Sequence, residues 1–93
     1  MKLLMKIPEN EIIDALLNDY KRKLVLYRLI DNQMQKKYKS TFEKFEENNL
    51  VKKSNFSWEV ESDSMEWEHS VEGIRFLENK INDIINNADN RTN

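Results

Sequence analysis

Cysteine is absent from the chain, and glycine and proline occur once each, as Gly73 and Pro8. Without cysteine there are no disulfides, and a lone histidine, His69, cannot supply the Cys and His ligands of a structural zinc site. So few turn formers exclude the tight connections of a sandwich or barrel and the glycine-rich phosphate loop of a nucleotide-binding α/β fold. Long apolar runs are missing too: Met1 to Ile7 is interrupted by Lys6 and ended by Pro8, too short for a signal-peptide core or a membrane span. With no cysteine and no export signal, the cytoplasm is the expected compartment.

The residues that are present suit long helices. Ninety-three residues make one domain, and 34% charged with 39% hydrophobic residues fits helices that have one wet face and one dry one. A chain this short buries only part of its surface. With disulfides and metal set aside, the remaining supplement is association with a second copy or another protein. The net charge of −2 conceals a division, because residues 1–39 carry nine Lys/Arg against five Asp/Glu and residues 40–93 carry six against twelve. Folding back, or antiparallel pairing of two copies, brings opposite signs together, although exposed pairs contribute only about 0 to 1 kcal/mol each and serve orientation more than stability.

From residue 9 to residue 38 the apolar positions Ile13, Leu16, Leu17, Tyr20, Leu24, Tyr27, Ile30, Met34 and Tyr38 recur in steps of three and four, which predicts a helix about 40 Å long. Pro8 with Glu9, Glu11 and Asp14 suits its start, and Lys36, Lys37 and Lys39 suit its end. Ile13, Leu17, Tyr20, Leu24, Tyr27 and Met34 follow heptad spacing and are the candidates for self-association as a dimeric bundle or coiled coil. Asp31 interrupts this seam. Either the seam rotates onto Ile30, which is the smaller adjustment, or Asp31 meets a polar partner. A second row, Ile12, Leu16, Leu26, Leu29 and Ile30, widens the apolar face and favours a bundle over a two-stranded coil.

Ser40-Thr-Phe-Glu43 reads as a capping box that opens a short helix over 41–48, with Phe42 and Phe45 on one side and Asn48-Asn49 as its stop. Residues 49–61 form the expected connection. Within it Leu50 and Val51 act as an anchor and residues 52–55 as a loop; Phe56, Trp58 and Val60 alternate as in a brief strand, but a lone strand has no ladder to join, and an extended or helix-entry segment is the better reading. Asp63 and Glu66 form a second capping box for a helix over 63–88, carrying Trp67, Val71, Ile74, Leu77, Ile81, Ile84, Ile85 and Ala88, with a polar tail at 89–93. Gly73 inside that helix costs about 1 kcal/mol relative to Ala, so close approach of the opposing helix under one of its tyrosines is expected there. The fold class is therefore all-α, a hairpin of two long amphipathic helices joined by a short helix and associating as a dimer.

The acidic run Glu59, Glu61, Asp63, Glu66, Glu68 and Glu72 is the one cluster that invites chemistry. Glu66-Trp-Glu-His69 matches a Glu-x-x-His metal motif once, but no second copy exists and the first helix has no Glu on its apolar face to complete a carboxylate-bridged site. No metal, cofactor or catalytic residue is expected. A solvated or partner-facing acidic surface is the better reading, and one that could fill a basic groove on a partner. The aromatic residues lie beside these acids instead of beside lysines, the wrong setting for base stacking, and Lys21-Arg-Lys23 with Arg28 reads as a wet helix face, so nucleic-acid binding by the chain alone is not expected. Phe56, Trp58, Glu59, Glu61, Glu66 and Trp67 are the candidate partner-binding residues, with self-association as a second mode of contact.

Three segments together carry a resemblance: Lys36-Lys-Tyr38, Ser40-Thr-Phe-Glu-Lys-Phe-Glu46, and Trp58-Glu-Val-Glu-Ser-Asp-Ser-Met-Glu-Trp-Glu68 leading into the final helix. Over residues 20 to 80 approximately, the chain resembles the small helical antitoxins encoded beside TumE-type toxins, although its Leu50 to Ser57 connection is longer than the compact form of that group. The resemblance implies a non-enzymatic protein that binds and neutralises a cognate toxin, as a dimer. The alternatives are a structural coiled-coil or scaffolding subunit and, third, a DNA-binding regulator.

Overall fold

Residue Pro8 ends the N-terminal extension and begins the part of the chain that the computed structural model describes, residues 8–92, with side chains from 8 to 87. Expectations for Met1 to Ile7, and for Asn93 of the tail, lie outside the described residues. Four helices follow in order: α1 (Glu9–Tyr38), α2 (Phe42–Glu47), α3 (Leu50–Lys53) and α4 (Trp58–Thr92). The two long helices fold back antiparallel on one another as a hairpin, and α2 and α3 fill the turn between them.

The charge and apolar pattern of α1 explain its limits. Pro8 precedes the first turn, where its missing N–H is not needed, and its carbonyl accepts from the amides of Glu11 and Ile12. Glu9 and Glu11 lie at the positive end of the helix dipole, Lys36 and Lys37 at the negative end. The helix stops where Lys39 turns into the left-handed region at φ 53°. A non-glycine residue there costs about 1 to 2 kcal/mol, so packing beyond the turn must hold it.

The core forms two clusters along the hairpin. At the open end, Leu24 packs on Leu77 and Ile81, flanked by Leu17, Tyr20, Tyr27 and Ile74. At the hinge, Met34, Phe45 and Trp67 are buried, with Ile30, Tyr38, Phe42, Leu50, Val51, Val60 and Val71 around them. Trp67 is 0% exposed and is the centre of an aromatic nest, with ring centroids 5.0 Å from Phe45, 5.4 Å from Phe42 and 5.8 Å from Tyr38. Most of the proposed self-association seam is thus spent inside the chain: Leu17, Tyr20, Leu24 and Tyr27 pack in the open-end cluster and Met34 in the hinge, with Ile13 half-buried on the same helix.

Several local expectations are corrected. The cap of α2 is Thr41, whose hydroxyl accepts from the Lys44 amide at 3.3 Å; Ser40 donates instead to the Thr41 carbonyl. A Ser-Thr pair offers two capping hydroxyls one residue apart, and the position of Phe45 in the core selects the second. The connection at 49–61 is largely helical: α3 occupies Leu50–Lys53, and α4 begins at Trp58, five residues before the expected 63. Asp63 and Glu66 are therefore helix-interior residues and not a cap pair. Of the readings for Phe56, Trp58 and Val60, the helix entry is the one found: α4 opens at Trp58, Val60 turns inward onto the hinge cluster, and Trp58 and Phe56, the latter in the bend before the helix, stay outside. The backbone of α4 also continues to Thr92, where a tail was expected from 89.

At Asp31 it is the polar partner that prevails. Its two carboxylate oxygens accept from the Trp67 indole N–H at 2.8 Å and from Gln35 at 2.9 Å. A buried indole needs an acceptor, and the carboxylate placed in the seam supplies it. Gly73 lies beneath Tyr27, as its cost in the helix anticipated: a Cβ there would come within 2.6 Å of the Tyr27 ring. The divided charge also meets across the hairpin, in Arg28 with Glu78 at 2.9 Å and in Lys37 with Glu59 and Asp63 at 2.7 and 2.6 Å.

Candidate protein-binding site

At the hinge the chain holds three large apolar side chains, Phe56, Trp58 and Met65, out of its own core. Helix α3 ends in a Schellman motif: the Phe56 amide bonds to the Val51 carbonyl, the Asn55 amide to the Lys52 carbonyl, and Asn55 adopts the left-handed conformation at φ 63°. Asparagine tolerates that geometry; Phe56, the next residue, is left-handed too, at φ 56°. A bulky residue in this region is strained by about 1 to 3 kcal/mol, and such strain concentrates where a side chain is held for a purpose. Here it leaves Phe56 59% exposed.

Helix α4 then begins, its first turn closed by the bond from the Glu61 amide to the Ser57 carbonyl at 2.9 Å, with Glu59 and Glu61 complementing the dipole. Trp58, Glu61 and Met65 follow at helical spacing on its outer side. Trp58 is 81% exposed and Met65 72%. With Val51, Ser62 and Ser64 they line a groove of about 440 Å³. A second groove of about 490 Å³ adjoins it through Val51 and Ser64 and reaches Phe56, Leu50 and Glu46. The surface is therefore apolar in the middle, and the charged residues of its lining are two acids, Glu46 and Glu61, and one base, Lys52. Aromatic anchors and a flexible methionine on a fixed frame are what a protein interface needs, and the flanking acids favour a basic rim opposite.

The candidate residues divide accordingly. Phe56, Trp58 and Glu61 come together in this surface. Trp67 does not, since it is wholly buried. Glu59 is paired to Lys37, and Glu66, though exposed, lines neither groove. Met65, Val51 and Glu46 were missed by reasoning from sequence. Met65 stands seven residues after Trp58, the spacing of one helix face, and that signal was hidden by placing the helix start at 63.

Next to the site a polar latch joins α1 to α4. Asp63 accepts from Lys37 at 2.6 Å and from the Tyr38 hydroxyl at 2.5 Å. Burial pushes the Asp63 carboxyl up, but the bonds from Lys37 and Tyr38 outweigh it and keep it below its usual 3.8. Burial, aided by the bond to Asp63, raises the Tyr38 hydroxyl to about 12, and the bonds to Asp63 and Glu59 raise the Lys37 ammonium. The latch keeps its charges across the neutral range and fixes the start of α4 relative to the end of α1.

Among the described residues no group of three or more His, Cys, Asp or Glu is placed to hold a metal ion, and no helix is long and apolar enough to cross a membrane. His69, the histidine of the Glu-x-x-His match, packs edge-on against Tyr27 with its Nε2 3.4 Å from the Tyr27 hydroxyl. Comparison with protein families, characterised proteins and solved structures finds no match in any of the three.

Proposed function

We propose that the chain is a non-enzymatic, cytoplasmic protein-binding module that offers Phe56, Trp58 and Met65 to an apolar surface on its partner, with Glu46 and Glu61 meeting basic residues around it. Following the resemblance of its Tyr38, Ser40–Glu46 and Trp58–Glu68 segments, the partner is a cognate toxin that the module neutralises as an antitoxin. One observation carries the reading: a tryptophan 81% exposed at the start of a helix whose next tryptophan is wholly buried. Exposing so large an apolar side chain on a rigid frame is the mark of an interface anchor, and its acidic neighbours argue against nucleic acid.

Titration against a purified TumE-type toxin tests this. Trp58→Ala combined with Met65→Ala is expected to weaken binding by roughly a hundredfold, as loss of two anchors does. Glu46→Gln with Glu61→Gln should flatten the dependence on salt. Unchanged affinity in the first variant would remove the site, and absence of any binding by the unaltered chain would remove the antitoxin reading. A structural subunit is the second reading, favoured by the 56 Å length of the molecule; it predicts assembly that ignores Trp58.

A further inference from the structure

Away from the hinge, the hairpin is a single layer of two helices with both long faces uncovered, and one of them is grooved. On that face a groove of about 410 Å³ runs between α1 and α4, lined among others by Tyr20, Lys23, Tyr27, His69, Gly73 and Phe76. Exposed Ile12 and Leu16 extend the α1 side at helical steps of four toward Tyr20. Phe76, 58% exposed, stands on the α4 side. The surface is also too large for one compact chain: 7500 Å² is exposed, against roughly 5,700 Å² expected for 11.2 kDa. The excess of roughly 1,800 Å² lies within the share of one subunit in an obligate homodimer, whose interfaces bury about 2,000 to 5,000 Å² in total.

We infer that a second copy of the chain covers this face, making an antiparallel four-helix bundle in which α1 of each chain lies over α4 of the other. A two-fold axis parallel to the helices gives this arrangement, because it keeps every residue at its own level and sets α1 of one chain over α4 of the other. Charge does not oppose it: along the open end, residues 69–92 carry four Asp/Glu against three Lys/Arg and residues 9–28 carry four against four. Within the chain, residues facing across the hairpin have numbers adding to about 100, as Leu24 with Leu77 and Tyr27 with Gly73 show. Carried across a two-fold axis parallel to the helices, the same levels bring Lys80 to Asp19 of the second copy. The inference is independent of the partner site at the hinge, which stays free at the end of the bundle.

Light scattering on the full chain should give twice the 11.2 kDa mass. Leu16→Glu and Phe76→Glu are each expected to raise the dimer dissociation constant at least about tenfold while helical circular dichroism is kept, and Trp58→Ala is expected to leave it unchanged. Because the chain has no cysteine, mixing an Asp19→Cys chain with a Lys80→Cys chain should yield a disulfide-linked pair that neither forms alone. A monomer at the highest soluble concentration, a dimer unaffected by Phe76→Glu, or a dimer lost with Trp58→Ala would overturn the assignment of the face. Self-linking of Lys80→Cys would overturn the orientation. Since toxin binding is measured with separate variants, failure of either reading is told apart from failure of the other.

Discussion

The two ends of the hairpin solve the same packing problem with different means. At the hinge, α2 and α3 close over the long helices and a tryptophan is enclosed by three aromatic rings and hydrogen-bonded to Asp31. At the open end two helices alone share Leu24, Leu77 and Ile81, and nothing in the chain caps their exposed sides. The contrast shows why the hinge encloses a tryptophan while the open end buries only a single line of side chains: a layer of two helices has an interior only along its line of contact, and at the hinge α2 supplies further cover.

The largest test of this contrast is to cut equally deep at both ends. Trp67→Ala should lower unfolding free energy by about 3 to 5 kcal/mol, since it empties the nest and leaves Asp31 without its indole donor, whereas Leu77→Ala should cost about 2 to 3 kcal/mol. Urea unfolding followed by far-UV circular dichroism reads both. Equal losses would mean that the hinge is no better packed than the open end.

Gly73→Ala gives the next effect, and its sign is the informative part. In an open helix the change would gain about 1 kcal/mol, but here the new methyl meets the Tyr27 ring at 2.6 Å, so a net loss of about 1 to 2 kcal/mol is expected. In a Tyr27→Ala background the same substitution should become stabilising, which thermal melts of the four chains would show.

The latch makes stability depend on pH at both extremes. Asp63 titrates lower in the folded chain than in the unfolded one, so its contribution is full above about pH 4 and is lost as pH falls through the depressed folded value. Tyr38 titrates higher, at about 12 against its usual 10.0, so its contribution is full below pH 10.0 and is lost as pH rises from there to about 12. Melting temperature should therefore hold a plateau between these limits. In Asp63→Asn the acid loss attributable to this group should disappear. The smallest effect is expected at Trp58: Trp58→Ala should change stability by less than about 0.5 kcal/mol, because the side chain touches water more than protein. A larger loss would mean that Trp58 belongs to the hinge core and not to a binding surface.

Much of the architecture was legible in sequence because helical periodicity is a local property. The α1 limits at Glu9 and Tyr38, the inward row from Leu17 to Met34, and the approach of a tyrosine to Gly73 all follow from spacing and from the cost of glycine in a helix. The candidate site was read less well. Trp58 and Trp67 stand nine residues apart in the same acidic run, about two and a half turns that set them on opposite sides of one helix, but that phase is legible only once the helix is known to begin at Trp58; Phe42 and Phe45 of α2 then close over Trp67 and leave Trp58 outside. The start of α4 was misplaced for a related reason. Asp63 has the composition of a cap, but Lys37 and Tyr38, distant in sequence, claim its carboxylate and let the helix begin a turn and a half earlier.

By itself, then, the sequence determined an all-α hairpin: with one glycine, one proline and no cysteine, and with apolar residues every three or four positions, long helices that hide one face are the solution local energetics allow. The tertiary structure alone decided which aromatic residues became core and which remained available. Burial is settled by what packs opposite a side chain, and here those partners come from more than twenty residues away.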